Sequence, residues 1–363
     1  MTLNNESERN YIIGTCMKMC PEKEIKMRER ERLLHIFEIV QGTENHPMPI
    51  AQIDQMVKCF SRSAAGKFMQ DPENLRPPAV LLETVNYLLD NIAGRTDVSW
   101  LIIYDFIMDR LRSVRQDMVI QNVSRAYQIT ILQPIIRFLA YASYRLCEEN
   151  VTDFDPHINN THLQECLKRL LCMYDYYDEL NDTSKDGSGF FIDLLKESRQ
   201  YFESLYVIFN LGSTTAITRA INLSSKWRSH LIETSLEISI SYLNGNFVRV
   251  CKAIERLPTL LASLATLHLP ELRRSSFKIM STAYHSKNLR YPLDALQHLL
   301  LYNTQDEIIY DCKYYGLNVL NNGIQFSKTD FDQNKPKVHS RRSKEIDIKL
   351  SNIDISTLLL FGE

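Results

Sequence analysis

The chain contains 363 residues, of which 44% are hydrophobic and 24% are charged, a composition that is typical of folded globular proteins and excludes an intrinsically disordered chain. Its 42 Lys and Arg residues nearly balance its 44 Asp and Glu residues, so the net charge of −2 excludes a global field that would draw the protein onto nucleic acid or an anionic membrane. With 11 Gly and 12 Pro, the sequence favours long helices over a turn-rich all-β fold, and its length suggests two or three domains, or one helical array with an appended module.

The first part of the chain is predicted to pass from a flexible lead into helices. Residues 1–13 are polar and contain no apolar segment of a secretory signal, so we expect a flexible lead and a start in the cytosol. A charged helix is predicted from Pro21, because Glu and Lys or Arg residues follow it at favourable i,i+4 spacing. Apolar residues at helical spacing then predict helices that start near Ala79 and at Trp100.

The middle of the chain continues as a series of helical patterns. The pattern over residues 124–147 contains Pro134, which predicts a kink or a restart, and Thr161 has capping-box spacing to a Gln three residues later, which predicts the start of the next helix. A polar segment near residues 181–189 predicts an exposed loop. Further helical patterns cover residues 191–211, 213–222, 225–244, 246–257 and 269–285. Serial helices joined by short turns predict a mainly α fold, with an α-solenoid of helix pairs over residues 14–290.

Residues 291–350 differ from this pattern. Two short helices are followed by two stretches in which apolar and polar residues alternate with period two, Gly323–Ser327 and Glu345–Leu350, and this alternation predicts half-buried strands. The order helix, helix, strand, basic loop, strand predicts a winged-helix module. A C-terminal tail is predicted at residues 351–363.

Five basic side chains lie between the two predicted strands, in a stretch without an acidic residue: Lys335, Lys337, Arg341, Arg342 and Lys344. At the position of a wing they predict contacts to nucleic-acid phosphates, which would weaken steeply with salt. A solvated loop or a short patch like a nuclear-import signal explains the same charges. Acidic residues on the preceding helix argue against its insertion into a major groove, so backbone contact is favoured over sequence-specific reading of DNA.

No motif of the sequence points to catalysis or to a cofactor. Cys16 and Cys20 are separated by three residues, a spacing that a packed turn explains better than a zinc site. HExxH, Walker, GxSxG and GxGxxG motifs are absent from the sequence, so we predict no catalytic residue, metal, cofactor or small-molecule substrate. The most apolar stretch, residues 100–108, is too short to span a membrane. Candidates for stacking on bases are Tyr174, Tyr176, Tyr177, Tyr314 and Tyr315, although core or partner-interface positions are the commoner outcome at helical spacing.

The segment from Gly14 to Glu24 resembles the opening signature of the family of mRNA-export scaffolds that includes the germinal-centre-associated nuclear protein (GANP) and its yeast Sac relatives. The signature residues, for which we expect a structural role, are Gly14, Thr15, Cys16, Met19, Cys20, Pro21 and Glu22. The likeness continues through Tyr104-Asp105-Phe106 and Gly245-Asn246-Phe247, and it extends over about residues 14 to 350.

This resemblance implies a PCI-type unit, in which helical repeats end in a winged helix, and a non-enzymatic scaffold role in transcription-coupled nuclear mRNA export. It implies two protein partners, a second PCI-domain protein and a small acidic subunit of the Sem/Dss type, with RNA or DNA bound by the paired winged helices. In length the chain is similar to a short family member linked to centrosomes, so a role in centrosome duplication and spindle assembly, outside the nucleus, is the alternative. A winged-helix DNA regulator and an enzyme without a known motif are the remaining alternatives.

Overall fold

The computed structural model describes residues 12–43, 46, 49–62, 71–183, 189–321 and 323–363. These residues form two compact units, one comprising the described residues up to Phe138 with Ile355–Gly362, the other Leu139–Asp354 with Glu363. The predicted lead falls mostly outside the described residues, as do residues 184–188 of the predicted loop. The structure is mainly helical, as the sequence predicts. The predicted domain boundaries stay a prediction.

The first unit passes from short helical turns into long helices. Its elements are α1 (Glu22–Arg30), short 3₁₀ turns at Ile36–Glu38, Ile53–Gln55 and Pro72–Asn74, α2 (Pro78–Tyr87) with a π-helical turn (Leu88–Ile92), α3 (Trp100–Ile120), the start of α4 (Arg125–Arg145), and α15 (Ile355–Leu360). The π-helical turn packs against both α3 and α15. Helix α4 runs through Pro134 without a break, so of the two predicted outcomes the restart is wrong and the kink stays a prediction. The burial of Ile131, Leu132, Ile135 and Ile136 offsets the hydrogen bond that the proline removes.

The second unit is a series of helices that pack on near neighbours in sequence. After the end of α4 come α5 (Pro156–Thr183), α6 (Gly189–Phe209), α7 (Thr214–Asn222), a 3₁₀ turn (Ser225–Trp227), α8 (His230–Leu243), α9 (Phe247–Ile254), α10 (Thr259–Thr266) and α11 (Leu269–Ala283). Helix α6 packs against α5, α7, α8 and α10, and α9 packs against α8 and α11. This pattern of local packing is consistent with the predicted α-solenoid.

Helix α5 begins earlier than the sequence predicts. It starts at Pro156 rather than at Thr161, and the carboxylate of Asp155 accepts a hydrogen bond from the His157 amide at 2.8 Å. The Thr161 hydroxyl instead donates to the His157 carbonyl oxygen inside the helix, also at 2.8 Å. The predicted capping box is therefore wrong, because the aspartate already supplies an acceptor for a free amide of the first turn.

Residues 269–351, here called the terminal module, end the second unit. After α11 the module contains β1 (Tyr291–Pro292), α12 (Leu293–Leu299), α13 (Gln305–Tyr314), β2 (Asn318–Leu320), β3 (Gly323–Gln325) and α14 (Lys344–Ser351). The strands form an antiparallel sheet in the order β1-β3-β2, in which Ile324 pairs with Tyr291 on one side and with Val319 on the other. The core of the module includes Phe277, Leu296, Ile308, Tyr315 and Phe326, so α11 is packed into it.

The predicted strand at Glu345–Leu350 is wrong, because these residues belong to α14. Ser343 caps this helix by accepting a hydrogen bond from the Ile346 amide, and Lys349 Nζ lies 3.0 Å from Glu345 Oε1 at i,i+4 spacing. The alternation also places Ile346 and Leu350 four residues apart, as on one helix face. The basic residues therefore do not form a loop between two strands, since β3 pairs with β1 and β2 instead.

Candidate nucleic-acid interface

Residues 335–344, here called the basic segment, are anchored along the terminal module by their backbone. Arg274 of α11 donates hydrogen bonds to the carbonyl oxygens of Gln333 at 2.8 Å and Lys335 at 3.0 Å. The amide of Val338 donates to the Tyr315 hydroxyl at 3.2 Å. Because these bonds use backbone groups of the segment, they fix its path while leaving its side chains available for other contacts.

Arg341 is committed to a pair inside the module. Its Nη2 donates to Asp311 Oδ1 at 2.7 Å, and the Asp311 side chain has no exposed surface. The Tyr302 hydroxyl donates to the second oxygen of that carboxylate at 2.8 Å, and burial raises the pKa of Tyr302 well above its usual value. Tyr302 therefore remains a donor at physiological pH. The arginine serves first to neutralise a buried carboxylate.

Arg342 is also paired, at the start of α14. Its Nη2 lies 2.9 Å from Asp347 Oδ1, and the Tyr144 hydroxyl donates to the same oxygen at 3.0 Å. The backbone amide of Arg342 donates to Glu148 Oε1 at 3.0 Å. These contacts tie the end of the basic segment to α4 and to the residues that follow it.

The three predicted lysines are placed differently. Lys335, Lys337 and Lys344 are exposed, and in the part of the chain that the structure describes none of their ammonium groups forms an ion pair. The Lys335 Nζ lies 5.2 Å from the centre of the Tyr314 ring. Of the five predicted residues, the two arginines thus hold the segment in place and the three lysines face solvent. Nucleic-acid binding by these residues stays a prediction.

A groove of about 770 Å³ lies between α13 and the basic segment. Its lining residues are Asp306, Glu307, Tyr310, Tyr314, Pro336, Lys337, Val338, His339 and Arg341. Tyr314 belongs to the predicted aromatic candidates, whereas Tyr315 lies in the core. Tyr310, with 60% of its surface exposed, is not among the residues that the sequence analysis names, although its four-residue spacing from Tyr314 places both rings on one helix face.

The signature segment lies in the first unit and is held by close backbone contacts. The Gly14 amide donates to Gln121 Oε1 at 2.8 Å, and a Cβ added at Gly14 would lie 2.2 Å from the Leu75 carbonyl oxygen. The amides of Thr15 and Cys16 donate to the carbonyl oxygens of Pro72 and Leu75 at 2.8 and 3.0 Å. A glycine is therefore required here by the close approach of two backbones.

The rest of the signature leads into α1 next to a buried ion cluster. The Met19 carbonyl oxygen accepts hydrogen bonds from Lys58 N at 3.0 Å and from Arg76 Nη1 at 3.3 Å. Cys20 is buried, and this burial raises the pKa of its thiol. Pro21 precedes the first turn of α1, where Glu22 lies 3.0 Å from Lys26.

Asp117 is the centre of that cluster. Its carboxylate has no exposed surface and lies 2.8 Å from Arg76 Nε and 2.7 Å from Lys58 Nζ. Because Arg76 and Lys58 both also bind the Met19 carbonyl oxygen, the signature and the cluster hold each other in place. The backbone groups of Gly14, Thr15, Cys16 and Met19 bond within the protein, and a structural role for the whole signature stays a prediction.

In the described part of the chain, no group of three or more His, Cys, Asp or Glu side chains is arranged to hold a metal ion. A search of the same residues finds no helix with the length and apolar character needed to cross a membrane.

A sequence model of the SAC3/GANP family matches residues 19–321. The chain belongs to the SAC3/GANP family. The family predicted from the sequence is thereby confirmed. The match includes Met19, Cys20, Pro21 and Glu22 of the signature, whereas Gly14–Cys16 and the basic segment lie outside it.

Three relatives within the SAC3/GANP family illustrate the likeness. SAC3 family protein 1 of Schizosaccharomyces pombe is 26% identical over 367 residues, which cover 96% of this chain and 35% of that protein. SAC3 family protein B of Arabidopsis thaliana is 26% identical, covering 74% of this chain and 16% of the relative. Protein xmas of Drosophila melanogaster is 25% identical, covering 84% of this chain and 14% of the relative. The chain thus spans about a third or less of the length of these relatives.

Proposed function

We propose that this chain is a non-enzymatic scaffold in nuclear mRNA export, which docks a second PCI-domain protein and a small acidic subunit and contacts RNA or DNA. The observation that carries the proposal is the terminal module, which ends a series of packed helices in a chain of the SAC3/GANP family. The exposed surface of this module and of the helices before it is suited to binding macromolecules. The described residues contain no cluster of metal ligands that would favour metal chemistry.

The topology of the terminal module supports a winged-helix interpretation. The elements follow in the order α11, β1, α12, α13, β2, β3, with an antiparallel sheet in the order β1-β3-β2. Phe277 of α11 lies in the same core as Ile308 of α13 and Ile324 of β3. The last helix of the series and the small sheet therefore share one hydrophobic core. A surface built on a shared core is a suitable platform for a protein partner.

The nucleic-acid contact is assigned to the exposed lysines of the basic segment. Lys335, Lys337 and Lys344 present unpaired charge to solvent, whereas Arg341 and Arg342 are held by Asp311 and Asp347. Contacts from lysines to phosphates would release counterions and depend strongly on salt.

Affinity purification of the tagged chain from cells, with and without RNase, tests the partner assignment. We expect a PCI-domain protein and a small acidic protein to remain bound after RNase treatment, because docking is through protein surfaces, and we expect the tagged chain to lie in the nucleus. Recovery of centrosomal proteins in place of these two partners would contradict export and favour the centrosome alternative.

A binding titration against salt tests the lysine assignment. Replacing Lys335, Lys337 and Lys344 by Gln should lower the slope of log K against log salt by about 2 for a single strand, since each phosphate contact contributes about 0.7. The matched control replaces two exposed lysines of other helices, Lys168 and Lys252, by Gln. An equal effect of both variants would remove the basic segment from the interface.

A further inference from the structure

One wall of the groove beside the basic segment is a single face of α13. Asp306, Tyr310 and Tyr314 follow each other at intervals of four residues, and all three line the groove. The opposite face of the helix, with Ile308 and Cys312, is buried in the core of the module. Tyr310 therefore presents 60% of its surface to the groove and to solvent while its backbone is rigidly held.

Each of the two tyrosine rings has a cation beside it. The Arg341 guanidinium carbon lies 5.6 Å from the centre of the Tyr310 ring, and Lys335 Nζ lies 5.2 Å from the centre of the Tyr314 ring. Because Asp311 holds and neutralises Arg341, the guanidinium stays beside the Tyr310 ring, and the free positive charge at the groove comes from the lysines of the basic segment. Lys337, on the opposite wall, is exposed and available for a phosphate.

We propose that this groove binds single-stranded nucleic acid, with a base stacked on Tyr310 and a neighbouring phosphate held by Lys337. The inference rests on the proposed function, since it names the form of nucleic acid that the scaffold would contact. Aromatic rings next to a positively charged path are the usual means by which proteins bind single strands without sequence preference. The volume of about 770 Å³ is within the range of about 300–1,000 Å³ that is usual for ligand pockets.

The acidic residues of α13 favour a single strand over a duplex. Asp306 and Glu307 lie in the first turn of this helix, where they would face the phosphates of a duplex that enclosed it. Glu307 accepts hydrogen bonds from the amide and side chain of Asn303 at 3.2 and 3.1 Å, so its carboxylate stays in place. A single strand can turn its bases towards α13 and its phosphates towards the lysine wall, which avoids this repulsion.

Fluorescence anisotropy of the full chain with a short labelled single-stranded RNA, and with a duplex of the same sequence, tests the proposal. Tyr310→Ala should weaken single-strand binding by about 5- to 150-fold, which is the range expected for the loss of one stacked base. Tyr310→Phe should bind like the unmodified chain, because the ring is retained. The control Tyr127→Ala removes a 41% exposed tyrosine on α4 and should have no effect.

The outcomes separate this inference from the function on which it rests. If the unmodified chain binds the single strand and Tyr310→Ala binds it equally well, the groove is not the site, although nucleic-acid binding stands. If the unmodified chain binds no RNA at low salt, the nucleic-acid part of the proposed function fails as well. If Tyr310→Ala loses a co-purified protein but not RNA, the groove binds a protein segment and the inference is wrong. Equal affinity for the duplex would also overturn it.

Discussion

Reversing the charge of Arg341 tests whether the basic segment is held from inside the terminal module. In Arg341→Glu a carboxylate would replace the guanidinium whose Nη2 lies 2.7 Å from Asp311 Oδ1, and Asp311, which has no exposed surface, would keep Tyr302 as its remaining donor. Removing one partner of a buried pair costs about 3–5 kcal/mol. Because Arg341 is itself 23% exposed and Tyr302 stays, we expect the free energy of unfolding of the module to fall by about 2–4 kcal/mol.

Hydrogen exchange of amides in α13 and α14 measures this effect, because it reports the stability of the module rather than that of the whole chain. The matched controls are Lys335→Glu and Lys337→Glu, which change exposed side chains and should alter the stability by less than about 0.5 kcal/mol. Adding Asp311→Asn to Arg341→Glu should restore part of the stability, since it removes the repulsion and keeps an acceptor for Tyr302. Equal protection in Arg341→Glu and Lys337→Glu would refute the view that the Asp311 pair holds the segment.

Two further predictions concern the buried Gly14 and the half-buried His268. Gly14→Ala should lower the unfolding free energy by about 1–3 kcal/mol in a denaturant titration, because its Cβ would lie 2.2 Å from the Leu75 carbonyl oxygen. The control Gly94→Ala should be nearly neutral, because no atom lies within 4 Å of the added Cβ. Similar values for the two variants would contradict the close approach at Gly14. Burial, with a smaller contribution from the charge of Lys337, lowers the pKa of His268 to about 4. As the pH falls from 6.5 to about 4, the unfolded chain therefore binds a proton before the folded chain does, and up to about 3 kcal/mol of folding stability should be lost over that range. Denaturant titrations at pH 7 and pH 5 should show about 2 kcal/mol of this loss, and His268→Gln should reduce it.

The sequence predicts most helices because the apolar residues of their buried faces recur at helical spacing. Where this periodicity is missing or ambiguous, the sequence does not predict the element correctly. Helix α10 was not predicted, since all eight of its residues are buried and no polar face marks its period. No local side chain caps its first amides; those of Thr259 and Leu260 donate hydrogen bonds at 2.6 Å to the carboxylate of Glu363, about a hundred residues later in the chain. The six alternating residues of α14 fit both the strand and the helix period, and the Ser343 cap decides for the helix.

The candidate interface was predictable in its charges but not in its pairing. The stretch from Lys335 to Lys344 is visible as a basic run, yet Asp311, which neutralises Arg341, lies 30 residues earlier on another helix. Local sequence contains no information on such a partner, because the pairing depends on how α13 packs. For Tyr310 the sequence does contain a signal, because its four-residue spacing from Tyr314 places both rings on one helix face, but the packing of α13 decides how far each ring is exposed.

The use of arginine in this chain explains why a basic run overstates the charge available to a ligand. Several arginines neutralise buried or half-buried carboxylates, in the pairs Arg28–Glu38, Arg76–Asp117, Arg199–Asp175 and Arg341–Asp311. The planar guanidinium suits such sites because it donates several hydrogen bonds in a fixed geometry, whereas the strongly hydrated lysine ammonium favours the surface. In a protein of nearly neutral net charge, the lysines of a basic run are therefore the better first candidates for phosphate contacts, and its arginines need a structure before they are assigned to a ligand.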